Sequence, residues 1–262
     1  MNNLWGVYTI WYRDILRFWH DKIRMVGSLV FPLLFLVVFG SGLNARMEFL
    51  APGVDFTRFV FPGIIGMTVL MSSFTAGISV VWDREFGFLK EVLVAPISRA
   101  SVAVGKTLGA ATVALLQGSL ILLFSPLIGI SLSLGTVVAL LPLMLLLAVS
   151  IGSVGVLLAT HIKSMEAFTA VMQLLMFPMV FLSGALFPLE GLPAWVSFLV
   201  KFNPATYGIA PIRQVMLGTL ADSPFDINLL GHNMSLWDNV ALMAVFGTVM
   251  ILLAMRSFST EE

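Results

Sequence analysis

The sequence contains no cysteine and very little charge. Without cysteine, neither a disulfide framework nor a thiolate metal site is possible. The histidines, His20, His161 and His232, lie far apart, so a histidine-rich metal motif is also absent. Charged residues make up 11% and hydrophobic residues 59% of the 262 residues, whereas a soluble domain has about 25% charged residues. The composition therefore predicts a membrane protein with little soluble mass.

Long uncharged runs account for most of the chain. A transmembrane helix needs about 20 mainly apolar residues, and such runs favour a helical bundle over the weakly alternating segments of a β-barrel. We expect an all-α membrane protein with one membrane domain over residues 26–257 and six spans. The spans are predicted at about 26–43, 59–82, 102–128, 136–160, 167–188 and 238–256.

The first 25 residues carry an amphipathic pattern. Trp11, Ile15, Phe18 and Trp19 recur at helical spacing, with charged residues such as Arg13 on the other side. Aromatic and basic side chains suit the headgroup layer of a membrane, where such a helix lies flat. We expect an N-terminal interfacial helix over residues 1–25, and the alternative is a plain juxtamembrane extension. The charges within it exclude a cleavable signal peptide.

Lysine and arginine accumulate on the cytoplasmic side of a membrane protein. With the N-terminus inside, ten of the 14 basic residues are cytoplasmic and four are external. This count predicts that both termini are cytoplasmic in a multi-pass protein of the cell membrane. The external group consists of Arg46, Arg58, Lys201 and Arg213.

Residues 190–236 are more apolar than a solvated external loop. Trp195, Phe198 and Phe202 fall at helical spacing before Asn203-Pro204 breaks the helix. We expect a re-entrant helix pair between the fifth and sixth spans, with the second helix at about Pro211 to Leu217. A seventh span is the alternative, but a lysine or arginine at the bilayer centre costs about 2.5–3.5 kcal/mol.

The string ASVAVGKT, residues 100–107, ends like a phosphate-binding loop. That loop needs a glycine where this chain has Ala100, and it needs a buried strand before it. The surroundings of Lys106 predict instead a basic anchor at the inner end of the third span. We therefore expect no nucleotide site, and no other cofactor or metal, on this chain.

No acidic, basic or histidine side chain is predicted deep within the spans. Ion-driven transporters commonly use such groups as relays, so the energy for any uphill transport would come from elsewhere. Gln117 and Gln173 are candidate pathway residues. Interhelical hydrogen bonding beside Gly118 and Ser119 is the alternative that we favour. No set of residues in the spans supports membrane-embedded catalysis.

A charged stretch, WDREFGFLKEVLVAPISRA, joins the second and third predicted spans. On a helical wheel Phe88, Leu89 and Leu93 share the half that contains Phe86, and most charges fall on the other half. A helix lying on the membrane surface is one reading. Mixed charge beside aromatic residues suits a protein groove better than an anionic surface does, so we expect a cytoplasmic helix over 83–99 that docks on a partner.

This stretch resembles the cytoplasmic loop of ABC-2-type transporter permeases, especially their drug and lipo-oligosaccharide exporter branch. The resemblance rests on Glu85 and Gly87 around an aromatic residue, and on the Leu, Pro-x-Ser and Gly-Lys elements that follow. A second match, MFPMVFLSGALFPLEGLPAWVSFLVKFNPATYGIAPIRQVMLG, is similar to the fifth span and external region of that family. The two matches occur in the family's order, and the six-span pattern covers nearly the whole chain.

The resemblance implies an exporter permease that works as a dimer with a second copy of itself. Two separate ATPase subunits, which carry ATP and Mg, would dock on the cytoplasmic side. ATPase coupling is then expected at Asp83, Arg84, Glu85, Phe86, Gly87, Phe88, Leu89 and Pro96, although many family members have Glu-Gly-Thr where this chain has Phe86 and Phe88 around Gly87. An outer gate is expected at Trp195, Phe198, Phe202, Asn203, Pro204, Tyr207 and Arg213.

The cargo is less defined by the sequence. The supply of Phe, Leu and Met favours an amphipathic or hydrophobic compound, such as a drug, lipid or glycolipid. A permease for polysaccharides or lipid-linked glycans is an alternative, and so is a channel or membrane scaffold that binds a cytoplasmic partner without transport. Membrane lipids are expected partners, and nucleic acid is not, because no long basic tract is present.

Overall fold

The computed structural model describes residues 3–50, 56–87, 97–187, 192–218, 228–229 and 232–260. Helices make up most of this part of the chain. They are α1 (Asn3–His20), α2 (Lys22–Leu50), α3 (Phe56–Ser73), α4 (Thr75–Glu85), α5 (Arg99–Leu122), α6 (Leu134–His161), α7 (Met165–Phe181), α8 (Ala194–Phe202), α9 (Pro204–Leu217) and α10 (Leu236–Thr260). A short 3-10 helix (Ser125–Ile128) and a hairpin of β1 (Asn228–Leu229) with β2 (His232–Asn233) complete it.

Four helical segments are long and apolar enough to cross a membrane: Thr57–Glu85, Arg99–Leu122, Leu134–His161 and Leu236–Ser259. The first of them contains α3 and α4, which continue into each other because Phe74 between them keeps helical torsion angles. Two shorter apolar helical segments, Met25–Val38 and Met165–Phe181, add to this set. The chain is thus a mostly helical, multi-pass membrane protein.

Several predicted boundaries differ from the structure. The third apolar run was expected to reach residue 128, but α5 ends at Leu122 and a 3-10 helix follows. Gly129 then takes a positive φ of 72°, which ends the helical path. The second short helix after Asn203 begins at Pro204 rather than near Pro211, because proline at the first helical position needs no amide partner. The hairpin at β1 and β2 is absent from the all-α prediction.

Helix α6 lies in the centre of the bundle and contacts α3, α4, α5, α9 and α10. Glycines allow the closest of these approaches. A Cβ on Gly77 of α4 would overlap the carbonyl oxygen of Gly155 in α6 and the ring of Phe168 in α7. Small residues are typical where membrane helices pack closely, since the apolar effect does not drive helices together in lipid.

The two ends of the bundle collect different elements. One end gathers α1, the end of α4, the start of α5 and the end of α6. The end of α10 joins them, because Thr160 and Ser257 share a hydrogen bond of 2.7 Å. The opposite end holds α8, α9 and the turn after α7.

Candidate functional site

Four charged side chains from three helices meet at the end of the bundle where α1 lies. Lys106 of α5 places its Nζ 2.5 Å from Oδ2 of Asp83 in α4 and 3.4 Å from Oδ1 of Asp14 in α1. Arg13 of α1 bonds the same Asp83 oxygen at 2.6 Å and Asp14 at 3.0 Å. Lys106 also donates to Ser79 Oγ at 2.6 Å. We call Arg13, Asp14, Asp83 and Lys106 the charge cluster.

The charge cluster is electrically balanced, with two cations and two carboxylates. Lys106 is only 1% exposed and Asp83 7% exposed, so an unbalanced set would cost several kcal/mol, on the order expected for buried ions. Burial alone would lower the pKa of Arg13. The hydrogen bond to Asp83 and the charges of Asp14 and Asp83 outweigh that effect and hold the Arg13 pKa above its ordinary value.

The helix contacts explain how Lys106 becomes buried. The expectation of an inside-facing anchor is wrong in this respect, because α1 packs along α5 and covers the lysine. Gly105 and Gly109 make this packing possible: a Cβ on either one would lie 3.0 Å from the Cβ of Ile10 or Asp14 of α1. The string that resembled a phosphate-binding loop is continuous helix within α5. It forms a close helix contact, not a phosphate cradle.

The side of helix α1 that faces the bundle combines apolar residues with two charged ones. Gly6, Ile10 and Phe18 are buried, and Arg13 and Asp14 enter the charge cluster. The opposite side exposes an aromatic stripe in which Tyr8 and Tyr12 stack with ring centroids 5.9 Å apart. The helix expected from the sequence is present, and its exposed surface is aromatic. That surface suits the headgroup layer.

The predicted coupling residues divide into inward and outward groups. Asp83 belongs to the charge cluster, and Arg84 donates to the carbonyls of Ala159 at 2.8 Å and Ile162 at 3.2 Å at the end of α6. A cation suits that position because the last carbonyls of a helix lack partners within it. Glu85 and Phe86 are exposed. Phe88, Leu89 and Pro96 lie outside the described residues.

Phe86 projects from the bundle beside two neighbours. It is 76% exposed, and its ring meets Trp82 edge to face at 5.8 Å. The Arg17 guanidinium of α1 lies over the Trp82 ring, 4.7 Å from its centroid. Gly87 follows with a φ of 79°, a conformation that favours glycine. An exposed aromatic side chain is thus held next to the charge cluster.

The predicted outer-gate residues also divide into two groups. Asn203 separates α8 from α9, accepts from the Ala205 amide at 3.1 Å and donates to the Met179 carbonyl at 2.8 Å. Tyr207 donates to the Lys201 carbonyl at 2.7 Å. Trp195, Phe198 and Phe202 are exposed, and the last two rings lie 4.8 Å apart. The polar residues hold the break between α8 and α9 in place, and the aromatic side chains are exposed on the surface of the bundle.

Arg213 is a structural tether at this end. Its guanidinium is buried, donates to the Gly184 carbonyl and lies 4.3 Å from the centre of the Phe59 ring. Pro204 occupies the first turn of α9, whose residues Ala205 to Gln214 are all buried. Helix α9 is therefore packed inside the protein, where its broken backbone is shielded.

The two candidate pathway glutamines differ in their surroundings. Gln117 is buried and donates from Nε2 to Ser28 Oγ at 2.9 Å, which joins α5 to α2. Gln173 lies exposed on α7. The contact of Gln117 agrees with a packing role, as is common for polar residues between membrane helices.

An apolar cavity of about 390 Å³ opens between α2, α3 and α7. Ligand pockets commonly fall between about 300 and 1,000 Å³. The cavity is lined by Phe31, Phe35, Met67, Met71, Met176, Phe177, Val180, Phe181, Leu186 and Phe187.

In the part of the chain that the structure describes, no group of three metal-ligating side chains is assembled.

These features define a helical, multi-pass membrane protein with a buried charge cluster at one end. Comparison with known proteins gives the family: residues 6–217 match the ABC-2 type transporter family, and the chain belongs to it. Putative transport permease ycf38 of Cyanophora paradoxa is 29% identical over 88% of this chain and 81% of its own length. Nodulation protein J of Rhizobium leguminosarum bv. viciae is 28% identical over 80% of this chain and 82% of its own.

A third relative carries a drug-resistance name. Probable doxorubicin resistance ABC transporter permease protein DrrC of Mycobacterium tuberculosis (strain ATCC 25618 / H37Rv) is 26% identical over 81% of this chain and 77% of its own length. The resemblance drawn from residues 82–106 and 176–218 is confirmed by the family match. The sequence analysis did not predict the charge cluster. Nothing in the local pattern of residues indicates that Lys106 pairs with Asp14, which lies 92 positions away.

Proposed function

We propose that this chain is the permease subunit of an ATP-driven exporter. Two copies enclose the pathway, and two ABC ATPase subunits dock at the end where α1 lies. The observation that carries the proposal is the exposed Phe86 at the point where the chain leaves α4. Membership of the ABC-2 type transporter family supports a separate ATPase, since the family consists of membrane subunits.

The proposed layout has six spans: α2, the rod of α3 and α4, α5, α6, α7 and α10. Both termini and the connection between α4 and α5 are cytoplasmic, and α8 and α9 form the external re-entrant pair. The contacts at the two ends of the bundle support this layout, because α1 and the end of α10 lie at the same end. The excess of basic residues there supports placing that end inside the cell membrane.

The exposed apolar surface of α2 and α7 is the proposed contact with the second copy. Phe31 and Leu34 of α2 and Phe177 and Phe181 of α7 are all at least 49% exposed. The same helices border the apolar cavity. Cargo would therefore be an amphipathic or hydrophobic molecule, because aromatic and methionine side chains adapt to varied apolar shapes. The drug-resistance name of one relative supports this cargo class, while the nodulation relatives keep a glycan as the alternative.

The first prediction tests whether ATP is hydrolysed by a separate ATPase subunit and not by the permease. The tagged chain, purified from its native membranes, should bring an ABC ATPase with it and assemble as two copies of each subunit. The permease alone should hydrolyse no ATP, and the reconstituted complex should. We expect hydrolysis to disappear when the catalytic glutamate of the ATPase is changed to Gln. Hydrolysis by the highly purified permease alone, or a permease that stays a single copy in the complex, would contradict the proposal.

The second prediction concerns the outer gate. Phe198→Ala and Phe202→Ala each remove one ring of the exposed pair, whose contact is worth about 0.5–1.5 kcal/mol. We expect export of doxorubicin or a fluorescent phospholipid from vesicles, or the basal leak of that probe, to change by about two- to tenfold. Assembly with the ATPase should stay unchanged. Trp237→Ala, an equally exposed aromatic outside α8, is the matched control. If all three variants show the same export and the same leak as the parent, α8 is not part of the outer gate.

A further inference from the structure

The charge cluster joins both ends of the connection on which the ATPase is proposed to act. Asp83 comes just before that connection, and Lys106 lies two turns into the helix after it. Asp14 and Arg13 add α1 to the same group of contacts. We propose that Arg13, Asp14, Asp83 and Lys106 are positioning residues that make α1, the end of α4 and the start of α5 move as one body during ATP-driven transport. The inference rests on the proposed function.

Lys106 is the centre of this arrangement because it contacts carboxylates from both other helices. Its Nζ reaches Asp83 in α4 and Asp14 in α1, and only 2% of its side chain is exposed. Apolar side chains of similar volume often stabilise a buried site as well as an ion pair does. Buried charges differ from apolar side chains because they fix one arrangement of the three helices. A shifted helix would leave a buried ion without its partner.

Helix α1 is attached to α5 along its length. The Ser98 amide donates to Asn3 Oδ1 at 3.1 Å, beside the connection. Trp11 Nε1 donates to Thr112 Oγ1 at 2.9 Å, further along α5. Along α5, Lys106 of the charge cluster lies between these two contacts, and on α1 its partner Asp14 follows Trp11 by one turn. A displacement that enters at residues 97 and 98 is therefore passed to all of α1 and not only to the spans.

The first experiment measures the attachment of α1 without any nucleotide. Spin labels go on cysteines at Leu4 of α1 and Leu123 after α5, both more than 70% exposed, in a chain that has no other cysteine. The parent should give one narrow distance distribution. Lys106→Met should broaden it, and Lys106→Arg should keep it narrow. Thr107→Val is the matched control, because the buried Thr107 hydroxyl has no hydrogen-bond partner in the described part of the chain.

A charge-balanced variant separates attachment from simple charge burial. Lys106→Met with Asp14→Asn removes one cation and one anion and leaves the Arg13–Asp83 pair, which reaches α4 but not α5. We expect its distribution to be as broad as that of Lys106→Met. A narrow distribution in Lys106→Met or in the balanced variant would overturn the inference, since the link from Lys106 would then not hold α1.

The second experiment adds the co-purified ATPase. Labels at Leu4 in both copies should report a distance change between the nucleotide-free and vanadate-trapped states of the parent. In Lys106→Met, hydrolysis should continue while the fraction of complexes with the changed distance falls at least about fivefold, the lower end of typical coupling between sites. A disulfide between Gly6→Cys and Ile97→Cys should restore the change. A Cβ on Gly6 lies 3.2 Å from that of Ile97, close to the separation of about 3.5–4.5 Å in disulfides.

The two experiments fail in different ways. A parent complex without hydrolysis or distance change overturns the proposed function, while the first experiment still decides whether the charge cluster holds α1. A parent that responds to ATP, together with a Lys106→Met complex that responds equally, overturns the role of the charge cluster in transmission. If the disulfide does not restore the distance change, the role of the charge cluster in transmission is also contradicted. Any firm link between α1 and α5 should be enough to restore the movement of α1.

Discussion

Gly77→Leu is expected to prevent stable assembly of the helical bundle. At Gly77 the helix α4 crosses α6 so closely that a Cβ would overlap the Gly155 carbonyl oxygen and the Phe168 ring. A backbone oxygen cannot move aside as a flexible side chain does, so both helices would have to separate. Overpacking a close contact costs about 3 kcal/mol at the upper end of the usual range, and we expect at least that loss in the free energy of unfolding.

The measurement compares matched glycines in membrane helices. Gly77→Leu and Gly27→Leu add the same side chain, but a Cβ on Gly27 meets nothing within 4 Å. Size-exclusion chromatography and thermal unfolding in detergent should show loss of the folded peak for the first variant and parent-like behaviour for the second. Equal stability of the two variants would show that the crossing of α4 and α6 relaxes easily.

The apolar runs predicted most of the long helices. The predicted runs 136–160 and 238–256 correspond to Leu134–His161 and Leu236–Thr260, because uncharged residues continue through each helix. At the start of α6, Ser133 accepts a hydrogen bond from the Thr136 amide, as a serine cap commonly does. Composition and capping are local properties, so one sequence contains enough information to place these elements.

The charge cluster depends on long-range packing, which the local pattern does not contain. The charges of α1 were expected on the side opposite its apolar residues. Arg13 and Asp14 instead enter the bundle, because Gly105 and Gly109 let α1 approach α5 and Lys106 and Asp83 supply opposite charges there. Helical periodicity shows that residues share a face, but it does not show which helix covers that face.

Phe86→Ala is expected to cause the largest loss of ATPase binding among single changes in the described coupling region. The structure turns Asp83 and Arg84 inward, so Phe86 and Glu85 remain available at the surface. Truncating a central aromatic anchor costs about 2 kcal/mol or more in protein interfaces, which weakens binding by about 30-fold. The measurement is the equilibrium dissociation constant of the ATPase from the parent permease and from the variant, each in nanodiscs. Trp19→Ala, also exposed but on α1, is the control and should bind normally.

Glu85→Lys tests the other exposed residue of this pair and should separate binding from coupling. Charges at the rim of an interface set orientation and association rate more than affinity. We therefore expect the complex to assemble with a similar dissociation constant, but to hydrolyse ATP with little ATP-driven movement of the Leu4 labels. Glu85→Gln should lie between this variant and the parent. If Phe86→Ala and Glu85→Lys both bind, hydrolyse and move like the parent, the surface after α4 does not receive the ATPase. The connection between α4 and α5 would then only join two spans.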